Sequence, residues 1–125
     1  PIDNVSEITA RTNDEGFETI FSEYLKISNL NKNDGILIFS VGGGNIKKNV
    51  SVNLINSIKY AKKKKSLVLS ILGKKDGYAA KNSNYAIIIS PQNKKFLTPI
   101  SESYQSVIWH LLVSHPKLQF NKTKW

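Results

Sequence analysis

The residues best able to do chemistry in this chain are few and well separated. Ser40, Val41, Gly42, Gly43, Gly44 and Asn45 follow an apolar run, "ILIF", and interrupt it with three glycines in a row. Glycine costs entropy wherever it is ordered, so three together imply a sharp turn or the close approach of something else. Backbone N–H groups at the end of a strand and ahead of a helix make a ready anion site, and the loop is read as a phosphate cradle or as a tight structural turn. It matches neither the Walker A pattern nor G-x-G-x-x-G. His110 and His115 are the only histidines, and the chain has no cysteine. Thiolate catalysis, disulfides and cysteine-ligated zinc are thereby excluded, and the composition fits a cytoplasmic protein. Histidine suits general acid–base work near neutrality. His110 sits in "VIWHLLV" and is read either as such a group or as a hydrogen-bonded core histidine; His115, ahead of Pro116, is read as a helix cap.

The elements that must position these residues can be read from periodicity. "NVSEITA" (4–10) alternates apolar and polar residues and predicts a short strand. Residues 13–30 have apolar positions at helical spacing. "GILIFSV" (35–41), "SLVLSIL" (66–72) and "YAIIIS" (85–90) are continuous apolar runs, the mark of strands buried on both faces. Residues 50–65 form an amphipathic helix that ends in Lys62–Lys65. Thr98 with Pro99 opens a last helix that stops near Ser114. Residues 117–125 read as a polar tail after a single domain over 1–116. Strands alternating with helices imply an α/β fold with a parallel sheet flanked by helices, and ligands sit outside the carboxyl ends of such strands.

The net charge is +9 over 125 residues. Nucleic acid is nevertheless not expected as a partner. Arg11 is the only arginine, and arginine is the usual bidentate reader of phosphate and guanine. The one lysine cluster closes a helix, where the dipole favours cations. No run of about 18 apolar residues is present to span a membrane, and no leader is evident.

"DNVSEITARTNDEGFETIFSEYL", "DGILIFSVGGGN", "GKKDGYAAK" and "ISESYQSVIWHLLVSH" occur in an order and at spacings that resemble the sugar isomerase (SIS) domain, in particular the phosphoheptose isomerases. The likeness runs over residues 3–115. It implies a Rossmann-like fold with flavodoxin-like strand order 2-1-3-4-5, lacking the family's first helix–strand–helix segment. The implied activity is aldose–ketose isomerisation of a sugar phosphate, sedoheptulose 7-phosphate in that family, through an enediol. A non-catalytic phosphosugar-binding module is the alternative.

The resemblance also implies site residues. Asn13 and Asp14 match a substrate-contacting pair. Ser40 matches the first serine of a phosphate-holding Ser-Thr-Ser-Gly-Asn-Ser loop, residues 41–45 take the place of its next positions, and Ser51 stands for the last serine. Glu102 and His110 match a polar residue and a histidine, eight apart on the last helix, at the reaction centre. Eight residues span about 12 Å with roughly 80° of rotation, so both could line one long ligand without touching each other. In some relatives the same two positions hold zinc together with residues from the absent segment; Glu102 and His110 alone cannot close such a site. The resemblance further implies a homo-oligomer, a tetramer in the family. If 4–10 is strand 2 and 36–41 is strand 3, the absent strand 1 belongs between them. Both would then have open edges, and the chain is expected to oligomerise, to pair with a separate N-terminal segment or to belong to a longer chain.

Overall fold

A computed structural model describes residues 4–121. Three strands, β1 (Gly35–Ser40), β2 (Leu67–Leu72) and β3 (Tyr85–Ile88), form one parallel sheet in the order β1-β2-β3. The pairing is in register from Gly35 opposite Leu67 to Ser40 opposite Leu72, and from Leu69 opposite Tyr85 to Leu72 opposite Ile88. This is the order expected of strands 3, 4 and 5, with helices in the crossovers as parallel strands require. The helices are α1 (Val5–Glu15), α2 (Ile20–Ile27), α3 (Val52–Lys63), α4 (Tyr78–Asn82) and α5 (Leu97–Ser114), the last preceded by a 3₁₀ turn at Lys94–Phe96.

One sheet face carries the main core. Ile38, Val68 and Leu72 point into it and meet Ile58 and Ala61 of α3, Leu30 after α2 and Ala79 of α4. Buried aliphatic groups of this kind are the chief source of stability, at about 1.5–3 kcal/mol each. The other face is covered over β2, where Ile71 is buried and the Gln105 amide on α5 donates to the Ile71 carbonyl at 2.9 Å. Away from that contact, Leu37, Phe39, Leu67, Tyr85 and Ile87 are exposed.

Four expectations need correction. The segment 4–10 is helix, not strand. Asn4 caps α1, its side chain accepting from the N–H groups of Ser6 and Glu7, and Arg11 pairs with Glu7 and Glu15 one turn away on either side. Capping and i,i+4 pairing outweigh the alternating pattern that suggested a strand. The helix foreseen over 13–30 is broken at Gly16, whose φ of 84° ends α1. Of the strands expected to be buried on both faces, β2 is so beyond Leu67, whereas β1 and β3 each leave one face exposed. Finally, α5 starts at Leu97, so Thr98 lies inside it and is not its cap.

The helix-closing lysines do match: Lys62 and Lys63 end α3, and Lys62–Lys65 are all exposed. His115 is the C-cap of α5, as the following proline dictates, and its Nδ1 accepts from the Lys117 N–H at 3.2 Å. Part of the polar tail, 122–125, lies outside the described residues. Among the described residues no helix is long and apolar enough to cross a membrane.

Candidate phosphosugar site

The glycine loop leaves β1 at the carboxyl end of the sheet. Ser40 closes it internally, its Oγ accepting from the Gly43 N–H at 3.0 Å. Gly73, at the end of β2, donates to the Ser40 and Val41 carbonyls at 3.3 and 3.0 Å, which locks the loop to the sheet. The carbonyls of Gly43 and Gly44 each accept at 2.8 Å, from Ala79 and Tyr78 at the start of α4. Two loops, 40–45 and 73–77, are thereby packed face to face.

The glycines answer to this packing. A Cβ on Gly44 would meet Ile55 Cγ1 of α3 at 2.9 Å, and its φ is 79°. A Cβ on Gly77 would fall on the Gly42 carbonyl and lie 3.0 Å from Gly43 Cα. Gly42 differs, because a Cβ there meets nothing within 4 Å. Its open side faces a cleft of about 180 Å³ lined by Gly42, Gly44, Asn45, Lys48, Val50, Lys74, Asp76 and Gly77.

The sequence placed the loop ahead of a helix over 50–65, leaving 46–49 between them. A tight hairpin fills that gap. Asn45 and Val50 exchange backbone hydrogen bonds at 2.9 and 3.0 Å, and Asn45 Oδ1 accepts from the Lys48 N–H at 3.0 Å. α3 therefore begins only at Val52, and Ser51 is its N-cap in a left-handed conformation, φ 51°, with no side-chain capping bond. The Ser51 carbonyl lies beside Gly44, 3.4 Å from where a Cβ there would sit, yet Ser51 lines a second cleft, of about 480 Å³, with Phe17, Glu18, Asn49, Val52 and Asn53. The Asn56 amide donates to the Glu18 carbonyl at 2.9 Å and ties the turn after α1 to α3. Asn13 and Asp14 are exposed in the last turn of α1, close in sequence to that turn but not among the cleft's lining residues.

Glu102 and His110 are both exposed on α5. The core-histidine reading of His110 is thereby corrected: its ring lies 4.8 Å from that of Trp109, tilted by 39°, and is not enclosed. Residue 101 fixes the helix near the loops, since Ser101 Oγ is where a Cβ on Gly73 would make a 3.0 Å contact. Among the described residues no three histidine, aspartate or glutamate side chains gather as metal ligands, so Glu102 and His110 alone do not fit a zinc site. Lys48, Lys74, Phe17 and Glu18 were not singled out from sequence. The one signal for the two lysines was the lysine pairs beside the glycine loop and in "GKKDG", which acquire meaning only when the two loops are brought together.

No family model matches the chain. It is 36% identical over 89 residues to the phosphoheptose isomerase of Buchnera aphidicola subsp. Schizaphis graminum, covering 71% of this chain and 42% of that protein. It is 32% identical over 114 residues to the lincomycin biosynthesis protein LmbN of Streptomyces lincolnensis, covering 90% and 41%. In structure it is similar to a phosphoheptose isomerase from Francisella tularensis, with a TM-score of 0.68 at 20% identity over 87% of this chain and 55% of that one. The chain therefore carries the sugar isomerase (SIS) fold, in part. Within that class it is similar in sequence and fold to the phosphoheptose isomerases, and spans about two-fifths of the length of the curated relatives it matches.

Proposed function

We propose that this chain is the phosphosugar-binding and reaction-centre part of an aldose–ketose isomerase acting on a heptose phosphate. The observation that carries this reading is the glycine loop. It sits at the carboxyl end of a parallel sheet whose sequence and fold are similar to phosphoheptose isomerases, where ligands of such sheets bind. Residues 40–45 form the wall of the phosphate site. Asn13, Asp14 and Ser51 belong to the sugar-facing side around the larger cleft.

The reaction needs a base to take a proton from one carbon and an acid to support the neighbouring oxygen. His110 supplies one of these roles. Its exposure in this chain suits a group that meets substrate from the helix surface. Glu102, two turns earlier on α5, holds sugar hydroxyls. The exposed apolar residues of the sheet and of α5, among them Phe39, Trp109 and Leu111, support assembly into a homo-oligomer whose sites include neighbouring chains. The absence of cysteine supports action in the cytoplasm. Turnover of sedoheptulose 7-phosphate by the full-length protein tests the reading. Conversion that falls in His110→Gln supports it, and a full-length protein that binds the sugar phosphate but never converts it counts against it.

A further inference from the structure

Hydroxyls that would hold a phosphate are missing from the glycine loop, yet the cleft beside it is not short of donors. Among the described residues, the N–H groups of Gly42 and Gly44 donate to no protein acceptor, although Gly44 is buried. Buried backbone donors are nearly always paired, so an orphan lining a cleft marks a place for an external acceptor. Two lysines line the same cleft. Lys48 is carried there by the 45–50 hairpin, and Lys74 by the loop locked to Ser40 and Val41 through Gly73. The ion pairs among the described residues are those of Arg11 with Glu7 and Glu15 and of Lys26 with Glu23, so Asp76, which also lines the cleft, forms an ion pair with neither lysine.

We propose that Lys48 and Lys74 clamp the terminal phosphate monoester of the ligand between the two loops, with the Gly44 N–H as a third donor. The inserted hairpin thus does two things. It delays the start of α3 to Val52, and it brings a lysine to the cleft beside the loop. Charge replaces hydroxyl recognition, so binding depends on the ligand's dianionic group and weakens with salt. The ligand class rests on the phosphosugar reading above; the clamp itself does not require turnover.

Calorimetric titration of the full-length protein with inorganic phosphate, with sedoheptulose 7-phosphate and with the unphosphorylated ketose tests it. Lys48→Gln and Lys74→Gln should each weaken binding of both phosphates on the order of three- to tenfold, and the double variant by more than either. Lys63→Gln, on the far end of α3, should leave it unchanged. Raising salt should weaken binding to the parent protein more than to the double variant. Melting curves matching the parent establish that the variants fold. Because both lysines are exposed, Gly42→Glu gives a second route: it places a carboxylate in the cleft without a steric clash and should abolish phosphate binding. Equal affinity of the double variant and the parent overturns the clamp, as does tight binding of the unphosphorylated ketose without phosphate binding. Equal, lysine-dependent affinity for both phosphates supports the clamp while removing the sugar from the site, which separates this inference from the isomerase reading.

Discussion

Gly77→Ala should be among the most damaging single-atom additions in this fold. The new Cβ would fall on the Gly42 carbonyl and within 3.0 Å of Gly43 Cα, both backbone atoms that no rotamer change can move. Relief requires the two loops to part. The 2.8 Å bonds from Tyr78 and Ala79 to the Gly44 and Gly43 carbonyls then break. Two backbone hydrogen bonds contribute about 1 kcal/mol each, and leaving the partly enclosed carbonyls without donors raises the cost toward about 3–4 kcal/mol. A single domain has only about 5–15 kcal/mol in hand. The melting temperature should fall by roughly 10 °C or more. Gly42→Ala provides the control, because its Cβ meets nothing within 4 Å and should change stability by less than about 0.5 kcal/mol. Urea denaturation of both variants beside the parent measures the difference. Equal midpoints for Gly77→Ala and the parent would refute the packing of one loop on the other.

Other perturbations report on separate parts of the molecule. Gly44→Ala combines a positive φ with a 2.9 Å contact to Ile55 and should cost about 1–3 kcal/mol by denaturant titration; an unaltered midpoint would contradict the close approach of α3. Gly43→Val should unfold the loop instead of merely blocking a ligand, since Gly43 has a φ of 70° and abuts Ala79, so its melting temperature and its phosphate affinity should fall together. His110→Gln should lower turnover roughly 10²–10⁴-fold with little change in melting temperature, because His110 is exposed; a large loss of stability would return it to a structural role. Asn4→Ala removes the cap of α1 and should cost about 0.5–2 kcal/mol of local stability, seen as faster amide exchange over the first turn of that helix.

Much of the sheet was legible because its signal is local. Residues 35–40 and 67–72 are unbroken apolar runs, and their parallel order comes from the helices between them. The illegible part depends on contacts between distant residues. Val5, Ile8 and Ala10 fit an alternating strand as well as a helix, and the decision falls to a cap at Asn4 and to the charges around Arg11. An apolar run says that a strand can be buried on both faces, not that it is; Leu37 and Phe39 are exposed because little covers that side of β1 among the described residues. The glycine loop was recognised, but as a cradle at the head of a helix. Its carbonyls also receive α4, and the hairpin closed by Asn45 and Val50 separates it in sequence from α3, whose Ile55 packs back against Gly44. Lys48 and Lys74 are 26 residues apart, and only the meeting of two loops makes them neighbours of one cleft.

The most direct measurement is magnetic resonance of sedoheptulose 7-phosphate incubated with the full-length protein in deuterated water. An enediol route moves a proton between adjacent carbons through a group that exchanges with solvent. The expected product is an aldose heptose phosphate carrying deuterium at carbon 2, formed far more slowly by His110→Gln. Ketose phosphate recovered unchanged, with no deuterium in it and no aldose formed, would contradict the isomerase reading.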